Sequence, residues 1–275
     1  MSSLDGTVGR IPRLEHTGRV TQLRVVRSEW TKLRSVRSSA WSLFAAVLFT
    51  IAIPAIAAAV VSHHWPRMGP QDRAGFHPLE VSLVGVQLGQ LAIGVLGVLV
   101  ITAEYSTGMI RASLTAVPRR LPVLAGKAIV FAGVTFLLLT PAVVAAFLLS
   151  QWILSGRGIE THLGAAGVPR AVVGAGLYLT AIGLFGLGLG AIVRNTAGGI
   201  ATFAGLMFVL PPLMNVLPAS WNAAASPYLP LQAGEAVMAL HRGDQLAPWT
   251  GFGVLCAYAA VSLAVAAILL RRRDV

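Results

Sequence analysis

The chain has 275 residues, 56% of them hydrophobic and only 11% charged, with a mean hydropathy of +0.75. A soluble globular domain is about a quarter charged and a disordered chain is poor in apolar residues, so this composition excludes both. The net charge of +11 would point to nucleic acid in a soluble protein; here its placement along the chain carries the information.

One cysteine, Cys256, lies in an apolar run, so no disulfide can form within the chain. About 38 polar and basic residues precede the first apolar run, which is not the pattern of a signal peptide. A helix needs roughly 20 apolar residues to cross the hydrocarbon layer. Stretches free of Asp, Glu, Lys and Arg run over 38–62, 81–103, 128–156, 171–193, 195–234 and 245–270. The fifth is too long for one crossing and contains Pro211, Pro212, Pro218, Pro227 and Pro230. It reads as a helix over about 197–216 followed by a segment that does not span. The runs do not alternate polar with apolar, which argues against a β-barrel. The expected fold is all-α and polytopic: a tail over 1–19, then a transmembrane domain over 20–275. Its spans are expected at about 39–62, 81–103, 128–150, 171–193, 197–216 and 249–270.

Connecting segments on the N-terminal side of the membrane hold 16 basic residues and those on the other side 5, while the acidic residues divide equally. The positive-inside rule then puts both termini in the cytoplasm.

The first element in chain order is amphipathic. Leu23, Val26, Trp30 and Leu33 recur on one helical face, with Arg24, Ser28, Thr31 and Ser35 on the other. Such a helix lies in the headgroup layer with its arginines near lipid phosphates. It can act as a topology anchor, as a lever touching a cytoplasmic partner, or as both.

In the second span, Gln87 and Gln90 are candidates for lining a substrate path; mutual satisfaction of polar groups is the alternative. The loop over 104–127 is the longest internal cytoplasmic segment. Met109, Ile110 and Leu114 can share one side of a short helix that Pro118 stops. Such a helix suits docking into a groove of a soluble partner, although a solvated loop fits the same composition. The fourth span is crowded with glycines, including Gly183, Gly186, Gly188 and Gly190, which points to close helix packing.

No acid, base or cation falls inside an assigned span, whereas proton- and sodium-coupled transporters keep such groups in the membrane. That favours an external energy source. Gly126-Lys127 lacks the upstream glycine of a phosphate-binding loop and is followed by alanine, so ATP hydrolysis would fall to another polypeptide. His63, His64 and His77 with Glu80 match no metal-ligand spacing, and no hydrolase motif is present.

The order Glu104…Gly108…Pro118-x-Arg120…Lys127, together with the runs Arg27–Ser35, Arg194–Gly199 and Tyr228–Ala236, resembles the permeases of type-2 ABC exporters, above all the short actinobacterial ones. The likeness covers nearly the whole chain. It implies the type-2 ABC exporter fold, with a connecting helix over 20–37 that carries Leu23, Val26, Trp30 and Leu33. It implies that the loop over 104–127 couples to an ATPase through Glu104, Gly108, Met109, Ile110, Arg111, Leu114, Pro118, Arg119 and Arg120. It further implies short re-entrant helices over 217–247, where Val237, Met238 and Leu240 would form a lid over the exit of the path. The implied setting is the bacterial plasma membrane. The implied partners are two copies of an ATPase carrying ATP and Mg, a second copy of the permease or a sister chain, and membrane lipid, with no nucleic acid. No cofactor, metal or catalytic residue is expected on this chain. The activity so implied is ATP-driven export of a hydrophobic or amphipathic substrate. The alternative is a membrane scaffold or sensor subunit that binds an ATPase without transporting.

Overall fold

A computed structural model describes residues 22–35, 37–108, 120–240, 243 and 245–272. Among the described residues every regular element is helical. Among the described residues six stretches are long and apolar enough to cross a membrane: Ser39–Arg67, Pro78–Ser106, Leu121–Ser155, Val168–Val193, Thr196–Met214 and Pro248–Arg272. The chain is therefore a multi-pass membrane protein, as the charge-free runs predict. The helix Gln22–Ser35 precedes the first span. The end of the bundle where it lies is called the base here, and the opposite end the top.

The fifth span shows how local sequence shapes a crossing helix. Thr196–Ala204 passes into a π turn over Gly205–Val209 and then into Leu210–Met214. Pro211 and Pro212 have no N–H to donate, and their rings crowd the carbonyls four residues back. The wider π turn falls where those carbonyls lie and relieves the crowding.

The fourth span, Val168–Val193, is the hub and packs on the second, third and sixth spans. Glycine makes that possible. A Cβ added at Gly97 would strike the carbonyl oxygen of Gly183, and one at Gly186 would strike that of Gly94. The second and fourth spans thus touch backbone to backbone. Within lipid no hydrophobic force drives helices together, so this close van der Waals approach holds the crossing.

At the base, Arg194 ends the fourth span in the left-handed region at φ 59°, and its N–H donates to Gly190 O at 2.8 Å. Asn195 then caps the next helix, its Oδ1 accepting from Gly198 N at 2.9 Å. The Arg194 guanidinium lies 5.3 Å from the Tyr105 ring centre and donates to Leu269 O at 3.2 Å. One turn thereby fastens the ends of the second, fourth and sixth spans.

Candidate functional site

The face of Gln22–Ser35 that meets the bundle is polar. Val25 and Glu29 are buried on it, and Lys32 is half-buried. Gln22 Nε2 donates to Pro122 O at 3.2 Å, and Val25 packs into the notch left by Gly126 of the third span. The apolar stripe of Leu23, Val26, Trp30 and Leu33 lies roughly 100° around the helix. Leu23 and Trp30 on that stripe are exposed, while Val26 and Leu33 are half-buried. The polar stripe therefore faces the protein, while the apolar one turns outward at Leu23 and Trp30 and still reaches the bundle at Leu33, beside Glu29 and Lys32.

Four charges meet where this helix crosses the bundle. Lys127 Nζ donates to Glu29 Oε2 at 2.6 Å and to Glu104 Oε1 at 2.9 Å. Lys32 Nζ donates to Glu29 Oε1 at 2.6 Å and to Glu104 Oε1 at 3.2 Å. Glu29, Glu104 and Lys127 are exposed by only 4%, 7% and 3%, so water contributes little to their solvation. Among the described residues two acids face two bases, which offsets the cost of burying them. Burial works to lower the Lys32 pKa, but its hydrogen bond to Glu29 and the charges of Glu104 and Glu29 outweigh it and hold the ammonium above its ordinary value. The cluster clamps the N-terminal helix, the end of the second span and the start of the third. The helices extend further than the uncharged runs predict: Glu104 lies in the second span and Lys127 in the third, so the expected loop over 104–127 is shortened to the connection over 107–120.

A second polar network lies toward the top. Tyr178 OH donates to Gln90 Oε1, Gln90 Nε2 donates to Gln87 Oε1 at 2.7 Å, and Gln87 Nε2 donates to Glu235 Oε1 at 2.6 Å. Tyr178 and Gln90 are fully buried, whereas Gln87 is exposed. Of the two glutamines, Gln87 alone is open to a ligand; Gln90 is committed to its neighbours. Glu235 closes the short helix Pro230–Glu235. Gly234 in that helix fits so tightly against the Tyr178 ring and Leu255 that a Cβ would overlap both. Tyr178 is ten residues into the fourth span and Leu255 seven beyond Pro248, roughly 15 and 10 Å along their helices. The segment between the fifth and sixth spans therefore folds back alongside the spans.

Past that helix, Val237 is fully buried in the notch of Gly174, Met238 is half-buried and Leu240 is exposed beside Gly167. Arg170 Nη2 donates to Ala239 O at 2.7 Å and ties this stretch to the start of the fourth span.

Of the expected coupling residues, Glu104 joins the charge cluster, and Gly108 follows at the end of the second span with a φ of 70°. Met109, Ile110, Arg111, Leu114, Pro118 and Arg119 lie outside the described residues, and of Arg120 only the backbone, at a helix start, is described. Among the described residues no three His, Cys, Asp or Glu side chains come together. Sequence reasoning gave no role to Glu29 or to the pairing of Lys32 and Lys127. One signal was present: the chain has 19 arginines and only two lysines, and both lysines are in the cluster. Compared with known proteins, the chain matches no family model and no curated sequence.

Proposed function

We propose that the chain is the membrane subunit of a type-2 ABC exporter, with both termini in the cytoplasm, dimeric, and driven by two copies of a separate ATPase. The observation that carries this reading is the buried Glu29–Lys32–Glu104–Lys127 cluster. It makes one mechanical unit of the amphipathic helix and the two span ends that bracket the connection over 107–120. A push on that loop from a closing ATPase dimer would reach the second and third spans through charge-assisted hydrogen bonds rather than through a flexible hinge. The glycine crossing between the second and fourth spans would pass the motion to the hub. At the far end, the fold-back segment held by Glu235 and Gln87 would close the exit. Charged side chains in the six spans lie only near their ends, at Arg67, Glu80, Glu104, Lys127, Arg170, Arg271 and Arg272, which suits an apolar or amphipathic cargo. The chain contributes no catalytic group in this reading; ATP and Mg are bound by the partner.

The test is affinity purification of the full-length chain with the ATPases of its cell, followed by ATPase assays in lipid with candidate substrates. A stably bound ATPase whose turnover rises with a substrate, together with ATP-dependent movement of that substrate into vesicles, is the expected result. A bound ATPase without any such movement assigns the scaffold role instead, and no bound ATPase at all rejects both.

A further inference from the structure

Directly beside the charge cluster the bundle contains a cavity of about 240 Å³. One end is polar, formed by Glu29, Lys32, Glu104 and Lys127. The other is apolar, walled chiefly by Leu99, Val100, Val130 and Phe131, and Ala103 and Thr107, both exposed, stand at its rim. Glu104 spends one carboxylate oxygen on the two lysines: Oε1 accepts from both. The other, Oε2, is buried and has no hydrogen-bond partner among the described residues. A carboxylate oxygen out of water and without a donor is costly, and native proteins seldom keep one without a use.

From this pairing of an orphaned acceptor with an apolar chamber, we propose that the cavity binds a small amphipathic molecule, an alkyl chain or ring ending in a hydroxyl or amino group that donates to Glu104 Oε2. An apolar cavity of about 150 Å³ admits benzene, so this one has room for roughly ten heavy atoms. The unpaired lone pairs of Glu104 Oε2 repel a phosphate or carboxylate head. A donor head, neutral or cationic, is the chemistry that completes the site. The inference does not depend on the transporter reading, since it uses only the cavity and its walls.

The experiment uses the full chain in nanodiscs and four photoreactive eight-carbon probes, each with a diazirine on the chain: an alcohol, an amine, a carboxylate and a headless hydrocarbon. The alcohol and amine are expected to label Leu99, Val100 or Val130, read by mass spectrometry of peptides, and the carboxylate and hydrocarbon to label them about tenfold less. Val100→Phe, which fills the apolar half and leaves all four charges in place, should abolish labelling in a protein that still elutes as one species. Glu104→Gln, where it folds, should reduce labelling about tenfold. Phosphatidylethanolamine has an ammonium donor and phosphatidylcholine none. Suppression of labelling in the first lipid only would identify a lipid head as the natural occupant, and equal labelling in both would identify a non-lipid amphipath. Labelling that ignores the head group, survives Val100→Phe, or is suppressed by both lipids overturns the proposal.

Discussion

Lys127 and Glu29 stand 98 residues apart in sequence and 2.6 Å apart in space, both almost wholly shielded from water. The pair joins the helix Gln22–Ser35 to the third span, and the cost of breaking it should be large and asymmetric. Lys127→Met leaves two buried carboxylates short of a cation, a loss of roughly 3–5 kcal/mol. Glu29→Gln with Lys127→Met removes both partners and should recover a substantial part of it. A double-mutant cycle on the thermal midpoint in detergent measures the difference. Additive single and double effects would mean that the two groups do not interact.

The pH dependence of the same cluster follows from Lys32. Its pKa is raised in the folded protein, so the stability it contributes is fully present below its unfolded value, about 10.4, and is lost as pH rises through the higher folded value. The gap in thermal midpoint between the native chain and Lys32→Gln should stay constant from neutral pH to about pH 10 and close above it. A gap already narrowing near neutrality would contradict the charge pairing.

The glycine crossing gives a steric prediction. Gly186→Ala and Gly97→Ala each drive a methyl group into a facing backbone carbonyl, which cannot move as a side-chain tip can. Overpacking of this kind costs about 1–3 kcal/mol, and the yield of folded protein should fall with it. Gly133→Ala and Gly253→Ala, whose added carbons meet nothing, are the controls and should be neutral or slightly stabilising. If all four variants behave alike, the second and fourth spans are not packed backbone to backbone.

Much of the architecture was readable because the length of an uncharged run and the spacing of glycines are properties of the sequence alone. The spans and the close crossing at Gly183 and Gly186 follow from them. The charge cluster was harder to read for a physical reason. On Gln22–Ser35 the apolar stripe announces itself by periodicity, yet the stripe that enters the protein is Val25, Glu29 and Lys32. Its polarity looks like a solvated face until partners 72 and 98 residues away supply the opposite charges. Glu235 is a similar case: it reads as a flank of the apolar stretch after it, and only the fold-back of Pro230–Glu235 brings it to Gln87.

Membrane sidedness rests on the distribution of arginine and can be tested directly. In a Cys256→Ala background, single cysteines at Gly69, Gly164 and Gln245 should react with a membrane-impermeant thiol reagent on intact cells. Those at Ser2, Ala116 and Val275 should react only after permeabilisation. Labelling at Ala116 from outside would invert the topology and remove the basis for a cytoplasmic coupling loop.

If the chain is the exporter subunit proposed above, the fold-back segment should move when the partner ATPase binds ATP. Val237 is fully buried against Gly174 while Leu240 is exposed, so in the Cys256→Ala background Leu240→Cys should react readily and Val237→Cys hardly at all. Two tethers hold this state, the Gln87–Glu235 bond at 2.6 Å and the bond from Arg170 to Ala239 O at 2.7 Å. Gln87→Ala leaves the Glu235 carboxylate without that donor, a loss of about 1–3 kcal/mol where the group is shielded from water. A tether weakened by that much should raise Val237→Cys reactivity by roughly tenfold without nucleotide. If the segment is a lid, trapping the partner ATPase with ATP should raise the reactivity of Val237→Cys in the otherwise native chain too, because Val237 must leave its notch before an exit can open. Reactivity that is the same with and without trapped ATP at both positions would make the segment a fixed cover and place the exit elsewhere.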